Sequence, residues 1–190
     1  MAEEDSELVL EQLVAGLGGT SRRGRQDSAH TLAQIAKASP DRLMPFAPQL
    51  IDALDRPEAQ TRWEALSALS QMVAVSPEDV AGAFEGAEAS LFDETSAPVR
   101  LGAFTFLARY GATSPRRSDE AWPLLDEAVQ CYHGDPEYHD MLVQLLEFAQ
   151  GQISEGARRA LAARVSFDAQ SGRGYMRALS AQIVARAQEA

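Results

Sequence analysis

Apolar residues along this chain recur at the three- and four-residue steps of an α-helix, in consecutive blocks. Leu8, Leu10, Leu13, Val14 and Leu17 form the first block, and Gly18 and Gly19 close it, glycine being the residue that best tolerates the left-handed conformation after a helix. A second block starts after Ser21 and carries Ala29, Leu32, Ala33, Ile35 and Ala36. From Pro40 the set Leu43, Phe46, Leu50, Ile51 and Leu54 runs to Asp55. After a break at Arg56-Pro57, a helix is predicted through Ala65, Leu66, Leu69, Met72 and Val73. From Pro77 the cycle returns as Val80, Phe84, Ala87, Leu91 and Phe92. Thr95-Ser96 then leads into a helix with Pro98 in its first turn and Ala103, Phe104, Leu107 and Tyr110 inside. Two more pairs are predicted, over 118–132 with 136–150 and over 154–167 with 174–188. Alternating runs of β-branched residues bounded by hairpin turns are absent.

The blocks are punctuated at a fixed interval. Ala38-Ser39-Pro40, Val75-Ser76-Pro77 and Thr113-Ser114-Pro115 place their serines 37 and then 38 residues apart. Proline cannot donate to the helix before it and is tolerated at the start of the next, where the preceding serine can act as cap. The triplets therefore read as joints between units spanning approximately 5–39, 40–76, 77–114, 115–152 and 153–190, in a single domain over 1–190. Register supports this: Arg25, Arg62 and Arg100 hold one position of the second helix, and Leu32, Leu69 and Leu107 another. Ser28, Ala65 and Ala103 lie between them, with Ile35, Met72 and Tyr110 beyond. The last two units fit loosely, with Leu145 or Leu146 as the leucine equivalent and Arg177 as the arginine equivalent. One such helix pair cannot bury its apolar face alone, and stacking the pairs makes a continuous core.

The register resembles the HEAT and armadillo class of helical repeats. It is carried by Leu54, Asp55, Pro57, Arg62, Ala65, Leu66 and Leu69 in the second unit and by Phe92, Asp93, Arg100, Ala103, Phe104 and Leu107 in the third. The first unit departs from it, with Gly18 where the aspartate belongs. The resemblance implies an all-α, right-handed α-solenoid (α–α superhelix) of about five HEAT-like helix pairs. It also implies a role for the repeated aspartates and arginines, which in such repeats form a polar ladder between turns and second helices. Asp55 precedes Arg62 by seven residues, as Asp93 precedes Arg100, and Arg62 stands on the stripe of Ala65, Leu66 and Leu69. A structural ladder accounts for these arginines better than a binding groove.

The opposite stripe of the second helices is the candidate partner-binding surface: His30 and Gln34 in the first unit, Trp63, Ser67 and Gln71 in the second, Thr105 and Arg109 in the third. On a curved rod of stacked pairs this stripe is expected on the concave face. Trp63 has two readings, a contact anchor of the kind enriched at interface hot spots or an indole packed on a neighbouring repeat.

Other chemistry is thin. Cys131, His133, His139 and Asp140 fall within ten residues, but Cys-x-His with a second histidine six residues on matches no zinc spacing, and Gly134-Asp135-Pro136 reads as a turn with Asp135 as cap. Gly16-Leu-Gly18-Gly19 follows a helical pattern and lacks the lysine of a phosphate loop. No Gly-x-Ser-x-Gly elbow occurs, and His30, His133 and His139 are the only histidines. No catalytic, metal or cofactor-binding residue is assigned.

Charge narrows the partners. The net charge of −11 opposes generic attraction to nucleic acid or to anionic membranes. Basic clusters at Arg22, Arg23 and Arg25, at Arg116-Arg117 and at Arg158-Arg159 keep one alternative open, a HEAT-like DNA-binding or DNA alkylation-repair protein. That family grips phosphate through a basic concave surface, and its catalytic aspartate with flanking aromatics has no counterpart that can be placed here. The acidic start over 1–5 lacks the form of a secretory signal, and no run is apolar enough for a membrane span. Cys131 is the only cysteine, so no intrachain disulfide forms, which fits the cytoplasm. Lys37 is the one lysine, a compositional bias with no functional weight. The sequence thus leads to an expected non-catalytic scaffold or adaptor that binds another protein.

Overall fold

The computed structural model describes residues 2–189; Met1 and Ala190, the ends of the expected 1–190 domain, lie outside the described residues. Among the described residues there are ten α-helices and no strand. They are α1 (Ala2–Leu17), α2 (Arg22–Ala38), α3 (Ala47–Asp52), α4 (Ala59–Met72), α5 (Ala83–Leu91), α6 (Ala97–Gly111), α7 (Pro115–Cys131), α8 (Tyr138–Ala149), α9 (Glu155–Ser171) and α10 (Gly174–Gln188). Two compact units divide the chain, Met1–Phe106 and Leu107–Ala190.

In the first unit, α2 packs along α4. Small side chains allow the approach: Ala29, Ala33 and Ala36 of α2 and Ala65 and Ala68 of α4 are buried, with Leu32, Leu66 and Leu69 filling the space between elements. Each such leucine contributes about 1.5–3 kcal/mol. Gly102 of α6 sits where an added Cβ would lie 3.2 Å from the Leu66 side chain, so the absence of a side chain sets that spacing.

Both first helices of the regular middle repeats differ from a plain helix. The stretch Pro40–Phe46 is a 3-10 helix, α3 lasts six residues, and Ala53–Asp55 is 3-10 again. Pro45 lacks the N–H an α-helix interior needs, and the tighter helix relieves the clash with preceding carbonyls, while Pro48 stands in the first turn of α3, where that N–H is not required. Leu43, Ala47, Leu50 and Leu54 are buried all the same. In the next repeat, residues 77–82 are turns closed by bonds such as Ala81 N to Glu78 O (3.2 Å) and Ala83 N to Val80 O (3.0 Å), and only α5 is α-helical. Val80, Ala83, Ala87 and Leu91 keep the core pattern through the change of backbone.

The second unit packs α7 on α9, α8 on α10 and α9 on α10. Its core holds an aromatic stack, Trp122 on Phe148, with ring centroids 6.1 Å apart and planes 21° from parallel. Gly111 sits against it: a Cβ there would lie 2.8 Å from Ala121 Cβ and 3.0 Å from the Phe148 ring.

The serine caps divide into three outcomes. Ser21, Ser114 and Ser154 accept from the third residue on, Gly24 N at 3.2 Å, Arg117 N at 3.3 Å and Ala157 N at 3.0 Å. Ser76 accepts from Asp79 N at 3.4 Å but heads a turn, and Ser39 makes no side-chain cap bond at the 3-10 start. Two local expectations are corrected. Gly18 and Gly19 do not adopt positive φ, since among the described residues only Gly134 (φ 86°) and Gly174 (φ 55°) do, and α1 closes through Gly18 N to Ala15 O and Gly19 N to Gly16 O instead. Asp135 does not cap α8, whose N-cap position is held by Glu137 with no capping bond from its side chain; Gly134 supplies the turn.

Candidate functional site

The register arginines point inward. Arg25 donates from Nε to Glu58 Oε2 (3.2 Å), from a second guanidinium nitrogen to Glu58 Oε1, and from Nη1 to Gly19 O (2.8 Å). Arg62 Nη2 lies 2.8 Å from Asp93 Oδ2, and Arg100 Nη1 donates to Asp93 O at 2.8 Å. This is a ladder, with one difference from the sequence expectation: the carboxylate that Arg62 uses belongs to the following repeat, and Asp55 is exposed. Burial alone would push the Asp93 carboxyl up. Hydrogen bonds from Thr95 Oγ1 and N and from Arg62 outweigh it and hold the group down at about 2. At Glu58 the Arg25 hydrogen bond keeps the carboxyl below its usual range against the same burial.

With those arginines occupied, the face left to solvent on the second helices of the first unit carries the predicted stripe. His30 and Gln34 are exposed on α2, Trp63, Ser67 and Gln71 are half-buried on α4, and Thr105 is half-buried on α6. His30 Nδ1 stands 2.8 Å from Glu64 Oε1, tying α2 to α4 across the stripe. A carboxylate only accepts, so the imidazole donates. In the second unit, Arg109 Nε lies 3.5 Å from Glu147 Oε2, between α6 and α8. Sequence reasoning missed both glutamates. The signal was there as an offset of one repeat, 34 residues from His30 to Glu64 and 38 from Arg109 to Glu147.

Each basic cluster holds an outward and an inward arginine, and Arg22 of the first is exposed as well. Outward, Arg23 lies 3.7 Å from Asp27, Arg116 3.1 Å from Glu120 and Arg159 3.2 Å from Glu155, each pair one helical turn apart. Inward, Arg25 joins the ladder, Arg117 lies over the Tyr110 ring at 5.0 Å and donates to Thr113 Oγ1, and Arg158 donates to Ala149 O at 3.3 Å. Four of these arginines thus pair with carboxylates, while Arg117 and Arg158 are held by neutral groups of the fold.

The segment 131–140 also disperses its polar groups. Cys131 is exposed. His133 Nε2 lies 2.9 Å from Asp168 Oδ2, while His139 Nδ1 lies 2.8 Å from Asp140 Oδ1 with its ring edge-on to Tyr175. The two histidines serve different partners, and among the described residues no three His, Cys, Asp or Glu side chains are placed to hold a metal ion. Nor, among those residues, is any helix long and apolar enough to cross a membrane.

No protein-family model matches this sequence, and no curated protein matches it. Solved structures do. A designed armadillo repeat protein in complex with the peptide (KR)4 superposes with a TM-score of 0.78 at 14% identity, over 94% of this chain and 82% of its own. Computationally designed armadillo repeat proteins for modular peptide recognition give 0.74 at 16% identity, over 93% and 81%. An engineered protein from a structural genomics consortium gives 0.72 at 16% identity, over 94% and 79%. At such identities the likeness concerns the fold, which is the all-α, armadillo/HEAT-like repeat fold of the α-solenoid class.

Proposed function

We propose that this chain is a non-catalytic scaffold or adaptor of the cytoplasm that binds a partner protein along the solvent face of its second helices. The observation that carries the reading is the stripe in the first unit: His30 and Gln34 on α2 beside Trp63, Ser67 and Gln71 on α4, joined by the His30–Glu64 bond. A half-buried indole needs little further ordering to make contact, and polar neighbours give it direction. Thr105 adds to the set on α6 within the same unit, and Arg109 stands on the part of α6 that falls in the second unit. Peptide recognition by the designed armadillo neighbours is consistent with this use of the fold. The cytoplasmic assignment rests on the single free cysteine.

The test is selection of binders from a random peptide library on the intact protein, followed by affinity measurement on Trp63→Ala. A loss on the order of tenfold or more is expected for an anchor residue. Selected peptides that bind Trp63→Ala and Gln34→Ala as tightly as the parent place the binding surface elsewhere.

A further inference from the structure

Beyond the second-helix stripe, the second unit contains a separate pocket of about 290 Å³, formed by the end of α7, the start of α8 and the last two turns of α9. Its walls are Val129, Gln130, His133, Tyr138, Arg164, Phe167 and Asp168. The volume is at the small end of ligand sites and suits one side chain.

Charge decides what that side chain is. Asp168 is 7% exposed, and its Oδ2 accepts from His133 Nε2 (2.9 Å) and Tyr138 Oη (3.3 Å). Burial and the Asp168 charge both push the Tyr138 phenol up, so it stays a neutral donor. Arg164 spends its fork on both oxygens of Asp126, at 2.5 and 2.8 Å. A buried carboxylate is therefore met by two ring donors and by no guanidinium. It also stands in the last turn of α9, where the helix dipole is itself negative and favours a cation. Beside it, Phe167 is 73% exposed, the most exposed of the chain's large apolar side chains among the described residues, and the His133 and Tyr138 rings lie 4.8 Å apart. Aromatic faces around a buried carboxylate that has no guanidinium partner attract cations, and a planar guanidinium can stack and donate at once. Anions are repelled, since the wall carries Asp168 unpaired by arginine while Arg164 is already neutralised.

We infer that this pocket receives the guanidinium of an arginine side chain presented by a partner protein, with Asp168 as counter-ion and Phe167, Tyr138 and His133 as the aromatic wall. The net charge of −11 favours approach of such a basic segment.

The probe is acetyl-arginine amide, titrated into the intact protein with the resonances of His133 and Phe167 followed by NMR, against the isosteric but uncharged acetyl-citrulline amide. Saturable shifts are expected with the arginine probe, at least about tenfold weaker with citrulline. Phe167→Ala, a surface change that leaves the core intact, should weaken the arginine probe by about fivefold, and Asp168→Asn should abolish its binding. If Asp168→Asn does not fold, Phe167→Ala carries the test. Absence of saturable shifts, equal response to the two probes, or an unaltered affinity in Phe167→Ala overturns the inference. Because Trp63 belongs to the other unit, peptide binding lost in Trp63→Ala but retained in Phe167→Ala fails the pocket without touching the second-helix reading.

Discussion

The two units build the same kind of helix pair and differ in which helices carry the polar links between neighbouring repeats. In Met1–Phe106 the polar links run between second helices or into the turns before them: Arg25 to Glu58, His30 to Glu64, Arg62 to Asp93. In Leu107–Ala190 a further set runs between first helices: Ser154 N donates to Ser118 Oγ at 2.8 Å, Ser154 Oγ donates to Asp119, and Arg164 forks onto Asp126, beside the second-helix link of Arg109 to Glu147. The second unit adds the Trp122–Phe148 stack where the first has its arginine ladder. Charge follows the division, with seventeen acidic residues against eight basic in the first unit and eleven against nine in the second. A repeat fold needs each unit bonded to the next, but the physics leaves open which face does it.

The largest expected break in this contrast comes from Trp122→Ala. Truncating a buried tryptophan costs about 3–5 kcal/mol, and hydrogen exchange should show the loss of protection concentrated in the second unit. Protection lost equally throughout would mean the aromatic stack is not the particular support of that unit.

Arg62→Ala tests the ladder in the first unit. It leaves the Asp93 carboxylate, 12% exposed, without its cation but still bonded to Thr95, for an expected loss of about 2 kcal/mol in urea unfolding. An unchanged midpoint would reduce the ladder to ornament.

The smallest effect is a pH slope. With a folded value of about 2 against 3.8 ordinarily, Asp93 contributes stability that is present above about pH 4 and lost as pH falls towards 2. Asp93→Asn should flatten the stability profile in that window. A parallel profile would assign the acid loss to other carboxylates.

Much of the first unit was legible because its ladder imposes a repeat on the sequence: a second helix that must offer one arginine inward and one leucine to the core shows Arg25, Arg62 and Arg100 in register. The broken backbone of Pro40–Phe46 and of 77–82 was not, because side chains keep their core spacing whether the backbone is α, 3-10 or turn. The stripe residues could be placed on second helices, yet their partners Glu64 and Glu147 stayed hidden, since a link across repeats has no local signature. The second-unit pocket was invisible for the same reason, His133 and Asp168 being 35 residues apart. Aromatic packing such as Trp122 on Phe148 tolerates many sequences, so the register fades where it takes over.

Cys131 lies exposed at the end of α7, two residues from His133. As the only thiol in the chain, it offers a natural attachment point for a thiol-reactive fluorophore, one residue along the chain from Gln130 of the arginine pocket's wall. Occupancy of that pocket could then be followed optically in the otherwise unaltered protein, with the stripe around Trp63 left unlabelled in the other unit.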